Sequence, residues 1–405
     1  MQTIFSLYEH QTLRLGNEVN GVKFTQHHLE ALENYYGNGT PYFALVNKGI
    51  KATEYVGVIN VDDIVIEVLP KADKDNNFDR WRKVLIGMLK TVGAFRVSSP
   101  SSADLSIKRN YLLDLYFEMY IKEINYLVRT GLVKKYRTSE NNQKALKGKL
   151  MMSKHLQKNI IHKERFYVSH TVYDQQHEVH QILYKALQLV YQLNNNPALN
   201  VRATLFSFPE MKDLKVSHDT FDKIALNRKL KPYEKALDIA RLLLLNYHPD
   251  LTKGGNDVLA LMFDMNALWE RFVLISLQRK LTDYKIKGQT SKLFWVGKDR
   301  GRSYMRPDIL MEHKENNQKI VLDTKWKHIQ SNTPNPSDLR QMFAYSQFFD
   351  AEKVALIYPG LLGVNKGHYK WENDVECGVL QIGVDEDLGK FVGGVVERVR
   401  EFCLS

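Results

Sequence analysis

Cysteine is scarce in this sequence. Its 405 residues contain two, Cys377 and Cys403, too few for a disulfide framework or a thiolate zinc site and in keeping with a reducing cytoplasm. Long apolar runs are also missing. The longest, ARLLLLNY from Ala240 to Tyr247, is far short of the ~20 residues that a membrane-spanning helix needs. The opening MQTIFSLYEHQ has no basic start followed by an apolar stretch, so no secretory signal is expected. No internal repeat or low-complexity tract stands out. Nor does a G-x-x-x-x-G-K-[ST] phosphate loop occur: the nearest stretch, KALKGKL, holds Gly148 and Lys149 without the upstream glycine or the Ser/Thr. A P-loop motor is therefore expected on another chain.

What the chain has in excess is positive charge, with a formal net of +11. From Ile121 to Arg165 there are 12 Lys and Arg against 3 acids, whereas from Ala236 to Ser405 there are 23 against 22. The surplus thus sits in the middle of the chain. It suits a polyanion or an acidic protein partner, or an ordinary solvated face. The length allows two or three domains with a substantial core.

Hydrophobic periodicity orders the chain. YFALVNKG and YVGVINVDDIVIEVLPK read as strands. FDRWRKVLIGMLKTV and NYLLDLYFEMYIKEINYLVRTG then place apolar residues at helical spacing, with Gly131 as a C-cap. The basic stretch that follows has no clean period. Helical patterns resume in EVHQILYKALQLVYQL and YEKALDIARLLLLNY. Lys231-Pro232 interrupts the pattern, which places a boundary there: an N-terminal α+β region, 1–230, with a β-rich start and a helical arm, and a C-terminal domain, 231–405. In the latter, helix, strands, the helix SDLRQMFAYSQFF, the strands KVALIYPG and CGVLQIGV, and a final helix from about Leu388 predict an α/β fold on a mixed sheet flanked by helices.

Within that domain, KIVLDTKW puts Asp323 and Lys325 on one strand face with Val321, and Ile320, Leu322 and Thr324 on the other. Fifteen residues upstream of Asp323, Asp308 follows Pro307, and the polar HKENNQK between them allows a hairpin that brings the two acids together. Converging carboxylates repel unless a cation or proton lies between them. Mg²⁺ takes one or two carboxylates plus water and phosphate, so Asp308 and Asp323 are candidate metal ligands and Lys325 a candidate stabiliser of phosphate charge. Glu270 lies at the edge of an apolar stripe with Leu268, Phe272 and Ile275. Asp338, Gln341 and Tyr345 share a face of a later helix, with Ser337 read as its N-cap. Lys298, Arg300, Arg302 and Arg306 are candidate phosphate contacts.

Pro307-Asp308 followed by Asp323-Thr324-Lys325 resembles the PD-(D/E)-x-K nuclease signature. Taken with FDMNALWERFV, RPDI, LDTKWK and SDLRQMFAYSQ in that order, and VINVDDIVIEVLPK and NRKLKPYEKALDIARLLL upstream, the chain resembles the McrC family, the nuclease subunit of McrBC-type modification-dependent restriction systems. The resemblance implies a restriction-endonuclease-like C-terminal domain that cleaves DNA with Mg²⁺. It also implies a partner, an McrB-like AAA+ GTPase hexamer that reads double-stranded DNA carrying modified cytosine, translocates it and is stimulated by this subunit. Asp308 and Asp323 would bind metal, Lys325 would be the catalytic lysine and Glu270 would support the site. Gln341 and Tyr345 would assist or touch DNA, and the N-terminal region, through the helices near Tyr111 to Thr130, would dock on the GTPase ring.

Competing readings are an adaptor that only activates the motor and a basic DNA-binding protein acting alone. Loss of an acid or the lysine would favour the adaptor, yet all three are present. His177 and His180 in HEVH are three apart, not the four of the zincin motif, so a structural role is expected. His27 and His28 read as surface residues.

Overall fold

The apolar alternation of the N-terminal part is realised as strands. β1 (Thr3–Tyr8), β2 (Tyr55–Val61) and β3 (Ile64–Leu69) pair, β1 parallel and β2 antiparallel to β3. Helix α1 (Phe78–Val92) follows, capped by Asn77, whose side chain accepts from Asp79 N and Arg80 N, and ended by Gly93 in the left-handed conformation. It buries Trp81, Val84, Leu85, Met88 and Leu89. Arg82 of α1 reaches the wholly buried Glu67 of β3 with Nε at 2.7 Å and Nη2 at 2.6 Å, and Ser6 Oγ donates to the same carboxylate at 2.9 Å. A carboxylate that far from water persists only with such partners.

The computed structural model describes residues 3–37, 39–61, 64–93, 111–248, 258–298, 301–329, 333–370 and 375–404. They form two compact units, one of residues 1–104 with 249–405 and one of residues 105–248. The division does not follow the boundary read at 230. Lys231-Pro232 opens a single 3₁₀ turn, Lys231–Tyr233, that runs straight into a helix. Proline is accommodated in a first helical turn because the N–H it lacks has no partner there.

In the second unit, α2 (Leu112–Thr130) is a buried spine: Tyr116, Phe117, Tyr120, Ile124 and Leu127 face inward, and Tyr120 OH donates to Leu183 O at 2.6 Å. The stretch without periodicity becomes β4 (Lys135–Gln143) and α3 (Met152–Asn159). β4 pairs along its whole length with β5 (Phe166–Asp174), from Lys135 opposite Asp174 to Gln143 opposite Phe166. KYRTSENNQ has no apolar alternation because none of this strand is buried and the backbone ladder defines it. Asn142 and Asn159 exchange amide hydrogen bonds of 2.7 and 2.8 Å, fastening α3 to the ladder. Helices α4 (Glu178–Leu193) and α5 (Glu234–Leu245) complete the unit.

His180 on α4 is fully buried. Its Nδ1 meets Gln175 O at 2.8 Å and its Nε2 meets Tyr233 OH at 3.1 Å, while Tyr233 OH accepts from Val133 N at 2.9 Å. Both ring nitrogens are thus engaged in structural hydrogen bonds. Burial, and then the neighbouring His177, lower its pKa to about 4. The unfolded chain takes up this proton at the ordinary value of about 6.5. Stability is therefore full above that pH and declines as pH falls toward the folded value. Urea titrations from about pH 7 to about pH 4 should show this unit losing on the order of 3 kcal/mol from this group, and His180→Gln should flatten the dependence. An equally steep variant would refute the assignment.

The chain returns to the first unit as β6 (Val258–Asp264), antiparallel to β2 from Val258 opposite Val61 to Asp264 opposite Tyr55. Asp264 then caps α6 (Met265–Lys280) by accepting from Ala267 N. Next come β7 (Tyr284–Gly288), a ribbon of β8 (Lys292–Val296) and β9 (Arg302–Met305), β10 (Ile309–His313), β11 (Lys319–Thr324), α7 (Pro336–Phe349), β12 (Lys353–Pro359), β13 (Val364–His368), β14 (Glu376–Ile382) and α8 (Leu388–Leu404). The mixed sheet runs β7-β10-β11-β12-β14-β13, with β11, β12 and β14 parallel to one another.

Met342, Tyr345 and Phe349 of α7 pack on Val321, Val354, Leu356, Tyr358, Cys377 and Val379, which form one sheet face. Gly378 alternates with the last two and faces Phe402 of α8; a Cβ there would stand 2.6 Å from that ring. Helix α8 therefore covers the other face together with α6, where Phe391 stacks on Trp269 and meets Phe272 at a tilt. The cap of α7 differs from the expected Ser337: Asn335 accepts from Ser337 N, and Pro336 occupies the first turn. Among the described residues, no helix is long and apolar enough to cross a membrane.

Candidate active site

β10 and β11 are antiparallel, with Met311 opposite Ile320 and Ile309 opposite Leu322. One step further along this register, Asp308 lies across from Asp323. YMRPDILME is not one continuous strand. It breaks at Arg306-Pro307-Asp308, between the ribbon strand β9 and the sheet strand β10, because proline cannot continue a ladder. The Asp308 carboxylate reaches the strand end: Oδ2 accepts from Thr324 N at 2.7 Å and Thr324 Oγ1 at 2.9 Å. Thr324, read only as a residue of the opposite face, is the clamp on this acid.

Asp323 is 2% exposed. Burial, and then the charge of Asp308, push its pKa up to about 6, against the lowering influence of Lys325. Lys325 Nζ stands 2.8 Å from Asp323 Oδ2, yet that buried oxygen has no hydrogen bond of acceptable geometry. The ammonium of Lys325 is thus its close ionic partner. Burial alone would lower the pKa of Lys325, but Asp323 and then Asp308 raise it above the ordinary lysine value.

Helix α7 holds the ammonium from the other side. Lys325 Nζ approaches Gln341 Oε1 at 3.5 Å, Gln341 Nε2 donates to Tyr345 OH at 2.9 Å, and Tyr345 OH donates to Arg306 O at 3.2 Å. Both residues named from the helix spacing thus meet the strand motif. Asp338 adds negative charge from the first turn of α7 and is itself held by Lys327 Nζ at 2.7 Å and Tyr358 OH at 3.1 Å.

Glu270 is half-buried on α6 and is bonded by the side chain of Gln289. Burial raises its pKa, the Gln289 bond opposes this, and Asp308 and Asp323 raise it further, so it lies within electrostatic reach of both acids. Sequence reading missed Gln289. It adopts a left-handed φ of 51°, strained for a residue with a long side chain, and its N–H donates to Asp308 O at 2.9 Å. It also missed Glu9, which accepts from Trp326 Nε1 at 2.7 Å and so ties the N-terminal sheet to the residue after Lys325. No local pattern announces either contact. Arg302 and Arg306 are exposed, as is Lys298; Arg300 lies outside the described residues.

A hard divalent cation fits the pair. Asp308 and Asp323 offer carboxylate oxygens, the buried Asp323 Oδ2 lacks a well-directed donor, and the mutual repulsion of the acids is relieved by a positive ion. Among the described residues, no three His, Cys, Asp or Glu side chains form a metal-holding group. Two carboxylates are enough for Mg²⁺, which commonly takes one or two together with water and phosphate oxygen.

A chain from the refined half-complex of the tetradecameric assembly of Thermococcus gammatolerans McrB AAA+ hexamers with bound McrC superposes with a TM-score of 0.76 at 17% identity, covering 99% of this chain and 100% of that one. A chain from the cryo-EM structure of the Thermococcus gammatolerans McrBC complex gives 0.52 at 19% identity, covering 70% of this chain and 89% of that one. At these identities the likeness is one of fold. No curated protein matches the sequence. Residues 50–359 match the family described as McrBC 5-methylcytosine restriction system component. That match spans more than half of the chain, and the protein belongs to this family.

Proposed function

We propose that this protein is the endonuclease subunit of a modification-dependent restriction system. It hydrolyses phosphodiester bonds of double-stranded DNA carrying modified cytosine, with Mg²⁺, in the cytoplasm, beside an McrB-like AAA+ GTPase hexamer that it stimulates. The observation that carries the reading is the register that sets Asp308 across from Asp323 with Lys325 held 2.8 Å from the second acid. When bound there, Mg²⁺ polarises a phosphoryl oxygen and makes hydroxide available near neutral pH. The chain does the rest. Asp308 and Asp323 hold the ion, with Asp308 fixed by Thr324 and Gln289. Lys325, whose pKa lies above the ordinary lysine value, stays protonated; it is a stabiliser of developing negative charge at phosphorus rather than a base. Gln341 and Tyr345 fix the direction of the ammonium, and Glu270 supports the acidic pair.

The family description names a 5-methylcytosine restriction component, and the structural neighbours come from assemblies of McrB hexamers with McrC; both support the partner and the substrate. In the unit of residues 105–248, Leu146, Leu156, Ile160 and Ile161 are exposed among lysines, a mixed apolar and basic surface suited to docking on the motor. Charge reversal within Lys134 to Lys149 is expected to weaken binding to the GTPase or to DNA about tenfold, measured at several salt concentrations. Unchanged affinity for both would leave this stretch a solvated face.

The deciding experiment incubates methylated and unmethylated plasmid with the chain, Mg²⁺ and GTP, with and without the GTPase. Cutting only of the methylated plasmid and only with the partner is expected. Strong GTPase stimulation without cutting would leave the adaptor reading.

A further inference from the structure

The β8–β9 ribbon stands apart from the six-stranded sheet and forms its own two-stranded one. Lys292 pairs with Met305, Leu293 with Tyr304 and Val296 with Arg302; the register shifts between Leu293 and Trp295, and Gly297 N donates to Gly301 O at 2.7 Å near the tip. Its base is anchored to the end of α7, where Lys292 Nζ donates to Phe348 O at 2.8 Å and Phe294 meets the Phe348 ring edge-on at 5.6 Å. Other large side chains of the ribbon are in water: Trp295 is 56% exposed and Tyr304 54%. An isolated two-stranded ribbon is marginal in water, and aromatic rings displayed on both of its strands mark a surface that meets a partner.

Charge and position identify that partner. From Lys292 to Arg306 the sequence holds five cations against one acid, Asp299, which suits a polyanion. β9 leads directly into Arg306-Pro307-Asp308, and Tyr345 pins the Arg306 carbonyl at the site. Whatever the ribbon touches therefore lies beside the bond to be cut. A duplex major groove, about 12 Å wide, admits a two-stranded ribbon. We propose, on the nuclease reading given above, that the β8–β9 ribbon enters a groove of duplex DNA next to the scissile phosphodiester. Lys298 and Arg302 lie against phosphates there, and Trp295 and Tyr304 against sugar and base edges. Base–aromatic contact would give grip beyond what phosphate charge supplies.

The test measures anisotropy of a fluorescein-labelled duplex against the full chain carrying Asp323→Asn, which prevents cutting during the titration. Adding Trp295→Ala with Tyr304→Ala should weaken binding at least tenfold with the salt dependence unchanged. Adding Lys298→Ala with Arg302→Ala should instead lower the slope of log affinity against log salt by about 2. Both aromatic positions are exposed, so the melting temperature should hold. Unchanged DNA affinity in the aromatic variant overturns the inference. If that variant instead loses self-association by light scattering, or binding to the GTPase, with DNA affinity intact, the ribbon is a protein contact and the inference falls. The nuclease reading is judged separately: cutting by Asp323→Asn alone would sink it, whatever the ribbon variants do.

Discussion

Asp323→Asn is expected to reduce DNA cutting about a thousandfold while the metal-free protein melts at a higher temperature than the wild type. The two effects have one cause. Asp323 is buried against Asp308, and its pKa is pushed up to about 6, above the ~3.9 it has in an unfolded chain. A raised acid contributes stability below its unfolded pKa and loses that contribution as pH rises through its folded one. At pH 7.5 the wild-type site therefore carries unrelieved repulsion. The neutral amide removes it, worth on the order of 1–3 kcal/mol once the lost attraction to Lys325 is subtracted. Adding Mg²⁺ should raise the melting temperature of the wild type and leave the variant unmoved, because the ion stabilises only a fold that binds it. Stimulation of the GTPase partner should persist. A variant that melts lower in EDTA, still shifts with Mg²⁺ and cuts normally would sink the site assignment.

The second large effect is structural. Arg82→Ala should destabilise the first unit by about 3–5 kcal/mol, because it strands the carboxylate of Glu67, which is 0% exposed, without its bidentate partner. For a unit of this size that is a fall of roughly 10 °C in thermal midpoint. Glu67→Met combined with Arg82→Met should recover most of the loss, since replacing both charges removes the desolvation penalty along with the attraction. Calorimetry of the two variants decides the matter, and a double variant as unstable as the single one would mean that shape, not charge, holds α1 on the sheet. No hydrogen bond joins Arg82 or Glu67 to Asp308, Asp323 or Lys325 among those described, so cutting by Arg82→Ala is expected to survive at temperatures well below its midpoint.

Much of the architecture is local information. Helices Phe78–Val92 and Glu178–Leu193 begin and end where the apolar period does, and the hairpin through Val61 and Ile64 is visible as alternation. The acid pair could be read from the period of a strand and the length of a turn, because antiparallel register is set by the residues that connect the strands. Gln341 and Tyr345 were legible from a four-residue spacing on one helix face. The N-cap of α7 was misplaced by two residues because Asn, Pro and Ser in succession all suit a helix start; only the geometry shows Asn335 bonding Ser337.

Other features have no local signature. β4 is a nine-residue strand of mostly polar residues, invisible to hydrophobic alternation because its order comes from a ladder with β5. The unit boundaries lie where they do because β6 pairs with β2, nearly 200 residues earlier in the chain, so the N-terminal sheet is completed by the strand that launches α6. A proline at 232 looked like a break and is a first-turn residue.

By itself, then, the sequence determined the amphipathic helices and the apolar strands, the mixed α/β character of the C-terminal part, and the chemistry available there: two acids, a lysine, and a helix bearing Gln and Tyr. These follow from period, caps and spacing, which act over a few residues. Tertiary structure alone decided which distant groups meet. It placed Gln289 on both Glu270 and Asp308, Glu9 on Trp326, and an aromatic ribbon beside the acids, and it closed one compact unit from two separated stretches of chain. The physical reason is that burial and hydrogen-bond pairing reward contacts without regard to separation along the chain, whereas sequence patterns record only what each segment needs from its own neighbours.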